Sequence, residues 1–336
     1  MIRFLWTVFK GIFSVTFFQK AVTQGMPLLF GATGEILTEK SGNLNMGIPG
    51  IMYMGGIGSL AGAFLYEHST ENVNGWIGVL CAILGCLIFS LAGALIYCVL
   101  VITLKANQNV SGLALTTFGV GLGNFLGGSF SKITGVAGQT TVYTTGQTFR
   151  TRIPLLSSKL GIVSDLFFSY GFLTYLGLVI AILATWFLLK TRAGLNLRAV
   201  GENPAAADAA SIDVTKYKYL ATCAGGMISG LGGMYFVMEY LGGTWQNNGF
   251  GDRGWLAVAL VIFATWKPAR AIWGSIVFGG LYILFAYVPL GQAMQEIFKM
   301  LPYVVTILVL VVTSLRRRKE NQPPASLGLA YFREER

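Results

Sequence analysis

Side chains able to carry out covalent chemistry are thinly spread along this chain and nowhere clustered. The one histidine is His68, and the four cysteines, Cys81, Cys86, Cys98 and Cys223, lie inside apolar runs without metal-type spacing. There is no G-x-x-x-x-G-K-[ST] phosphate loop, no H-E-x-x-H pair and no nucleophile elbow; the chain lacks even a Gly-Lys dipeptide. Catalysis by this chain is therefore not expected. What it offers instead are amides and hydroxyls in glycine-broken stretches: Ser41, Asn43, Asn45 and Gly47 in one, Asn107, Gln108 and Thr116 in another. An amide both donates and accepts hydrogen bonds, which suits sugar hydroxyls or the edges of a base. These seven residues are candidates for the path of a small polar solute.

The elements that must position them are set by composition. Of 336 residues, 54% are apolar, 11% are charged and 44 are glycine. A soluble chain carries roughly 25% charged residues, so lipid must be the solvent for much of this one. Apolar segments that can span a hydrocarbon core fall near 18–36, 46–66, 76–104, 110–128, 168–189, 217–239, 254–267, 271–289 and 296–315. The aromatic-rich stretch 4–17 carries Lys10 and is either a further short span or an interfacial helix. The expected fold is an all-α polytopic membrane protein of about nine to ten helices, at least one of them broken. Glycine pairs four apart, Gly58 and Gly62, Gly119 and Gly123, Gly226 and Gly230, read as helix-packing faces.

The net charge of +10 would suggest nucleic acid in a soluble protein, but here the basic residues concentrate in loops and tail. Lys190, Arg192, Arg198, Lys216 and Lys218 mark 190–218; Lys267 and Arg270 mark a tight turn; Arg316, Arg317, Arg318 and Lys319 open a basic tail, 316–336. By the positive-inside rule these face the cytoplasm, and parity leaves 129–166 as an external loop. Nucleic acid is not an expected partner. The few charges beside the spans, Glu35, Glu239, Asp252, Arg253 and Glu296, fall mostly near segment ends and are expected to be solvated.

The cytoplasmic stretch GLNLRAVGENPAAADAASIDVTK, 194–216, has its own local logic. Asn203 is a good N-cap, Pro204 suits the first helical position, and the alanines that follow favour helix. Asp213 can cap the next span. A short alanine helix between two spans either docks in a groove of another protein or lies as a connector at the interface. The run from Ser41 to Gly50 leaves two readings as well: a broken helix at membrane depth, where transporters place substrates, or a cytoplasmic turn.

Four stretches resemble the membrane permease subunits of bacterial ATP-binding-cassette importers, in the branch for simple sugars, nucleosides and branched-chain amino acids. VGENPAAADAASIDV is similar to that family's coupling segment, with Gly201, Asn203, Pro204, Ala206, Ala207, Ala210 and Ile212 in place and Ser211 where glycine is usual. TEKSGNLNMGIPGIMYMGG, 38–56, is similar to a block most typical of basic-membrane-protein-type nucleoside importers, with Pro49 replacing the usual glutamate. KANQNVSGLALTTFGVGLG, 105–123, carries Thr116 where asparagine is common, and GDRGWLAVALVIFATWKPARA, 251–271, ends in a basic W-x-P turn.

The resemblance implies a type II-like permease domain over 18–315 with nucleosides as the expected cargo; a simple-sugar permease shares the architecture. It implies that Gly201, Glu202, Asn203, Pro204, Ala206, Ala207, Ala210 and Ile212 couple the chain to a cytoplasmic ATPase subunit. ATP and Mg would sit on that subunit, with no cofactor bound here. A second permease chain, identical or not, and an external solute-binding lipoprotein complete the expected assembly in a bacterial plasma membrane. A carrier or channel independent of ATP would need no such partner.

Overall fold

A computed structural model describes residues 14–133, 140–151, 166–287, 292–316 and 321–333. Most of the stretch 4–17, part of the loop 129–166, with Arg152 and Lys159, and Arg317 to Lys319 of the tail lie outside the described residues.

The described chain is helical apart from one isolated bridge between Thr141 and Thr244. Its helices are α1 (Val15–Glu39), α2 (Ile48–Ser69), α3 (Gly75–Cys98), α4 (Gln108–Ile133), α5 (Tyr143–Phe149), α6 (Phe172–Lys190), α7 (Arg192–Glu202), α8 (Pro204–Ala209), α9 (Val214–Met234), α10 (Arg253–Phe263), α11 (Pro268–Ile283), α12 (Gln292–Lys299) and α13 (Leu301–Arg316). π turns, Val99–Thr103 and Tyr235–Tyr240, extend α3 and α9. Among the described residues six helices are long and apolar enough to cross a membrane: α2, α3, α4, α6, α9 and α11, with α3, α9 and α11 counted together with the turns that extend them. With α1, α10 and α13 they match the nine apolar segments of the sequence.

The bundle is layered around α2 and α9. Almost all of α2 is buried, whereas α3 and α6 present Leu80, Leu84, Ile88, Ile182, Leu183 and Trp186 outward, as lipid-facing helices do. Glycine sets the spacing, because lipid gives helices no hydrophobic reason to associate and close backbone contact must replace it. A Cβ on Gly58 would sit 2.5 Å from the Gly85 carbonyl oxygen, and one on Gly55 would meet the Gly230 backbone at the same distance. Gly119 packs in the same way on Gly50, so the paired glycines are helix contacts.

Two expectations change. The segment 254–267 is not a full span: α10 has 11 residues, about 16 Å of rise against a core of about 30 Å. The irregular stretch 241–252 precedes it and folds into the bundle, with Trp245 and Phe250 buried against Tyr53 and Gly56. Nor are the charges beside the spans all solvated, since Glu35, Glu239 and Arg253 are buried. Glu239 accepts from Gly171 N at 3.2 Å and from Thr174 Oγ1 at 3.1 Å. Arg253 donates to Gln24 Oε1 at 2.9 Å and to the Phe250 carbonyl at 3.0 Å, with its guanidinium over the rings of Phe236 and Tyr282. Cation–π contact and neutral acceptors replace water there.

Candidate coupling and translocation site

The short helix α8 is specified by its own sequence at both ends. Asn203 Oδ1 accepts from Ala206 N at 3.0 Å, and Pro204 takes the position where an N–H would have no helical partner. At the other end Ser211 N donates to the Asp208 carbonyl at 2.9 Å and Ile212 N to the Ala207 carbonyl at 3.0 Å, the double closure of a Schellman motif. That motif needs a left-handed residue, and Ser211 supplies it at φ 63°. Here the position that glycine usually holds keeps its geometry with serine, at a steric cost. Ala207 is buried with Val200 and Val214 against Ile212, Tyr217 and Tyr331, so one alanine anchors the helix. Ala205, Ala206, Ala209 and Ala210 face outward, together with Glu202 and Asn203. Asp213 Oδ1 then caps α9 through Lys216 N at 2.9 Å.

Gly201, at the elbow before α8, sits directly on the connection between α1 and α2. Its Cα approaches Gly42, and any Cβ there would strike the Lys40 carbonyl oxygen. The turn between α10 and α11 closes on the same place, where the Trp266 indole donates to the Glu39 carboxylate. Thr265 and Trp266, both at positive φ, make that turn tight enough to reach it. Three loops far apart in sequence therefore converge at one end of the bundle.

The stretch from Ser41 to Gly47 is non-helical and joins α1 to α2. Its lower part lies beside Gly201; its upper part, non-helical, climbs past the first turns of α4 and is covered by protein. Asn45 N donates to Glu35 Oε1 at 3.1 Å, and Asn45 Oδ1 accepts from Gly47 N at 2.9 Å. Asn43 Nδ2 reaches Thr222 Oγ1 at 3.0 Å on α9, and Ser41 Oγ donates to the Thr38 carbonyl at 2.6 Å. Gln108 Oε1 accepts from Leu44 N at 2.6 Å, and Thr116 Oγ1 donates to the Met46 carbonyl at 2.8 Å. Asn107 is exposed and caps α4 through Val110 N. Five of these side chains thus hold or brace the break in this conformation. Asn43 Oδ1, Asn45 Nδ2 and Glu35 Oε2 are buried without hydrogen-bond partners, so the break keeps unspent capacity. Pro49 stands in the first turn of α2 and packs on Gly254 of α10, a place where proline costs no helical bond.

Sequence reading missed two features. The end of the chain folds back over the converging loops: Ser326 Oγ donates to the Gly201 carbonyl at 2.5 Å and Gly328 N to the Gly42 carbonyl at 3.2 Å. Tyr331 Oη donates to Asp208 Oδ2 at 2.9 Å, and Arg333 pairs with the same carboxylate at 3.3 Å. Its charge suggests a solvated tail, and no periodicity marks the strap. At the opposite end Asn124 and Asn248 exchange hydrogen bonds of 2.8 and 3.1 Å near Trp245, giving exposed amides beside an aromatic group. The dipeptide Asn247-Asn248 after Trp245 was the available signal.

A multi-pass helical bundle with a capped, outward-facing helix seated on a helix break defines a membrane permease. The chain belongs to the branched-chain amino acid transport system / permease component family, whose model matches residues 17–310. It is 31% identical to the nucleoside ABC transporter permease protein NupC of Lactococcus lactis, over 85% of this chain and 88% of that one. It is 28% identical to the guanosine ABC transporter permease protein NupQ of Bacillus subtilis, over 84% and 87%. TsgC13 of Haloferax volcanii, provisionally described as a glucose ABC transporter permease protein, is 35% identical over 75% of this chain and 71% of its own.

Proposed function

We propose that the chain is one of two membrane halves of a nucleoside importer whose energy comes from a separate cytoplasmic ATPase subunit. ATP and Mg belong to that subunit, and an external solute-binding lipoprotein hands over the cargo. The observation that carries the coupling assignment is the seat of Gly201 on Lys40 and Gly42: a displacement of α8 presses on the α1–α2 break without an intervening flexible loop. The ends bearing 190–218, 267–270 and the tail are cytoplasmic by their charge. Nucleoside specificity rests on the relatives named for nucleosides and on the block 38–56; the likeness to TsgC13 supports a sugar as the second reading.

Gly201→Val tests the coupling assignment. In the assembled transporter, uptake should fall at least about tenfold, a loss worth about 1.4 kcal/mol, while ATPase activity and membrane level stay within twofold (roughly 0.4 kcal/mol). Unchanged uptake would show that α8 does not act through the α1–α2 break. Competition by nucleosides against glucose and galactose separates the two cargo readings.

A further inference from the structure

A cavity of about 650 Å³ opens beside the converging loops, lined by residues from α6, α7 and the α10–α11 turn. Its charged lining is Lys40, Arg198, Lys267 and Arg270 against one carboxylate, Glu202. Glu202 Oε2 already accepts from Ala325 N at 3.3 Å. Arg270 gives its donors to the neutral oxygens of Thr265 and Asn321. Arg198 Nε is buried with no hydrogen-bond partner among the described residues, so its donor is free to meet an acceptor that enters the cavity. Among the described residues the cavity thus holds an excess of positive charge with at least one donor unspent.

Its other wall is the end of an apolar helix. Thr185, Leu188 and Leu189 belong to the last turns of α6, whose outer face carries Trp186 and Leu183 at 58% and 54% exposure. An aromatic ring at this level is the mark of a membrane interface. A cationic hollow with an apolar side on a lipid-facing helix matches an amphiphile with an anionic head. It matches a soluble anion less well, since that would leave Leu189, exposed at the rim, uncovered.

We propose that this cavity binds the phosphate headgroup of an anionic phospholipid from the cytoplasmic leaflet, with an acyl chain along the end of α6. The inference rests on the functional reading only for which leaflet supplies the lipid. Basic pockets between spanning helices on the cytoplasmic side bind such headgroups. Burial holds the Lys40 ammonium below its ordinary pKa, opposed by Glu202, and Arg198 adds to the depression; an arriving phosphate relieves the repulsion. Because Lys40 also carries the carbonyl beneath Gly201, the bound lipid would stiffen the coupling junction.

Native mass spectrometry of the purified transporter in detergent, titrated with phosphatidylglycerol or phosphatidylcholine, reads the site without requiring turnover. Phosphatidylglycerol should bind at least about tenfold more tightly, and R198Q/R270Q should lose that preference, each charge near a membrane surface being worth about fivefold. K105Q/K216Q, which removes two cations elsewhere at the same end, should keep it. Equal binding of the two lipids overturns the proposal, as does full selectivity in R198Q/R270Q. Displacement by glycerol 3-phosphate as effectively as by dispersed phosphatidylglycerol would assign the cavity to a soluble phosphate and overturn the lipid reading. If the double variant fails to fold, the comparisons on the wild-type protein still decide. Equal binding of the two lipids by a wild-type transporter with normal ATP-driven uptake refutes this inference alone and leaves the transport reading standing.

Discussion

Ser211 holds a left-handed backbone conformation at φ 63° that costs an L-residue roughly 1–2 kcal/mol, and it does so to close the exposed helix α8. Two hydrogen bonds and the packing of Ile212 on Ala207 offset that cost. Ser211→Gly should stabilise the protein by about 0.5–1 kcal/mol, because the relieved strain exceeds the added freedom of the unfolded chain. Ser211→Val should cost about 1 kcal/mol or more, β-branching being poorly tolerated there. Denaturant unfolding in detergent measures both; a stabilising valine would mean that the turn is not held as described. The buried Asn43, Asn45 and Glu35 have a different character. Their unmet atoms are expensive in an apolar interior and call for a partner such as an ordered water.

At the scale of elements, the strap formed by 321–333 ties the base of α4, the elbow at Gly201 and the end of α8 into one unit. Deleting 321–333 should leave the spans inserted but weaken retention of the ATPase subunit during purification by at least about fivefold, roughly 1 kcal/mol lost per displaced contact. Full retention would show that the strap does not shape the docking surface. This element could not be read from the sequence, because its contacts are single hydrogen bonds to distant carbonyls and leave no periodic trace. The capped helix was legible, since Asn203, Pro204 and Asp213 act on their immediate neighbours. So were the nine apolar segments, whose length is dictated by the bilayer. The half-length of α10 was not: Leu256 to Phe263 continue an apolar run that looks like a span, and only the fold shows the helix confined to 11 residues with Trp245 and Phe250 of 241–252 packed into the bundle before it. The burial of Arg253 was hidden for the same reason, as the aromatic rings that receive it come from α9 and α11.

For the whole molecule, the division of labour follows from where each kind of residue lies. Glycines bring the helices into close backbone contact, one end gathers the loops around Gly201, and the other carries Asn124 and exposed Asn248 near buried Trp245. The proposed function makes transport depend on a partner subunit for its energy. The direct measurement is uptake of radiolabelled guanosine into proteoliposomes holding the purified permease, with and without the ATPase subunit and the binding lipoprotein. Uptake should require the ATPase subunit and ATP and should stop with a non-hydrolysable analogue. Sustained uptake by the permease chain alone, without nucleotide, would contradict the account.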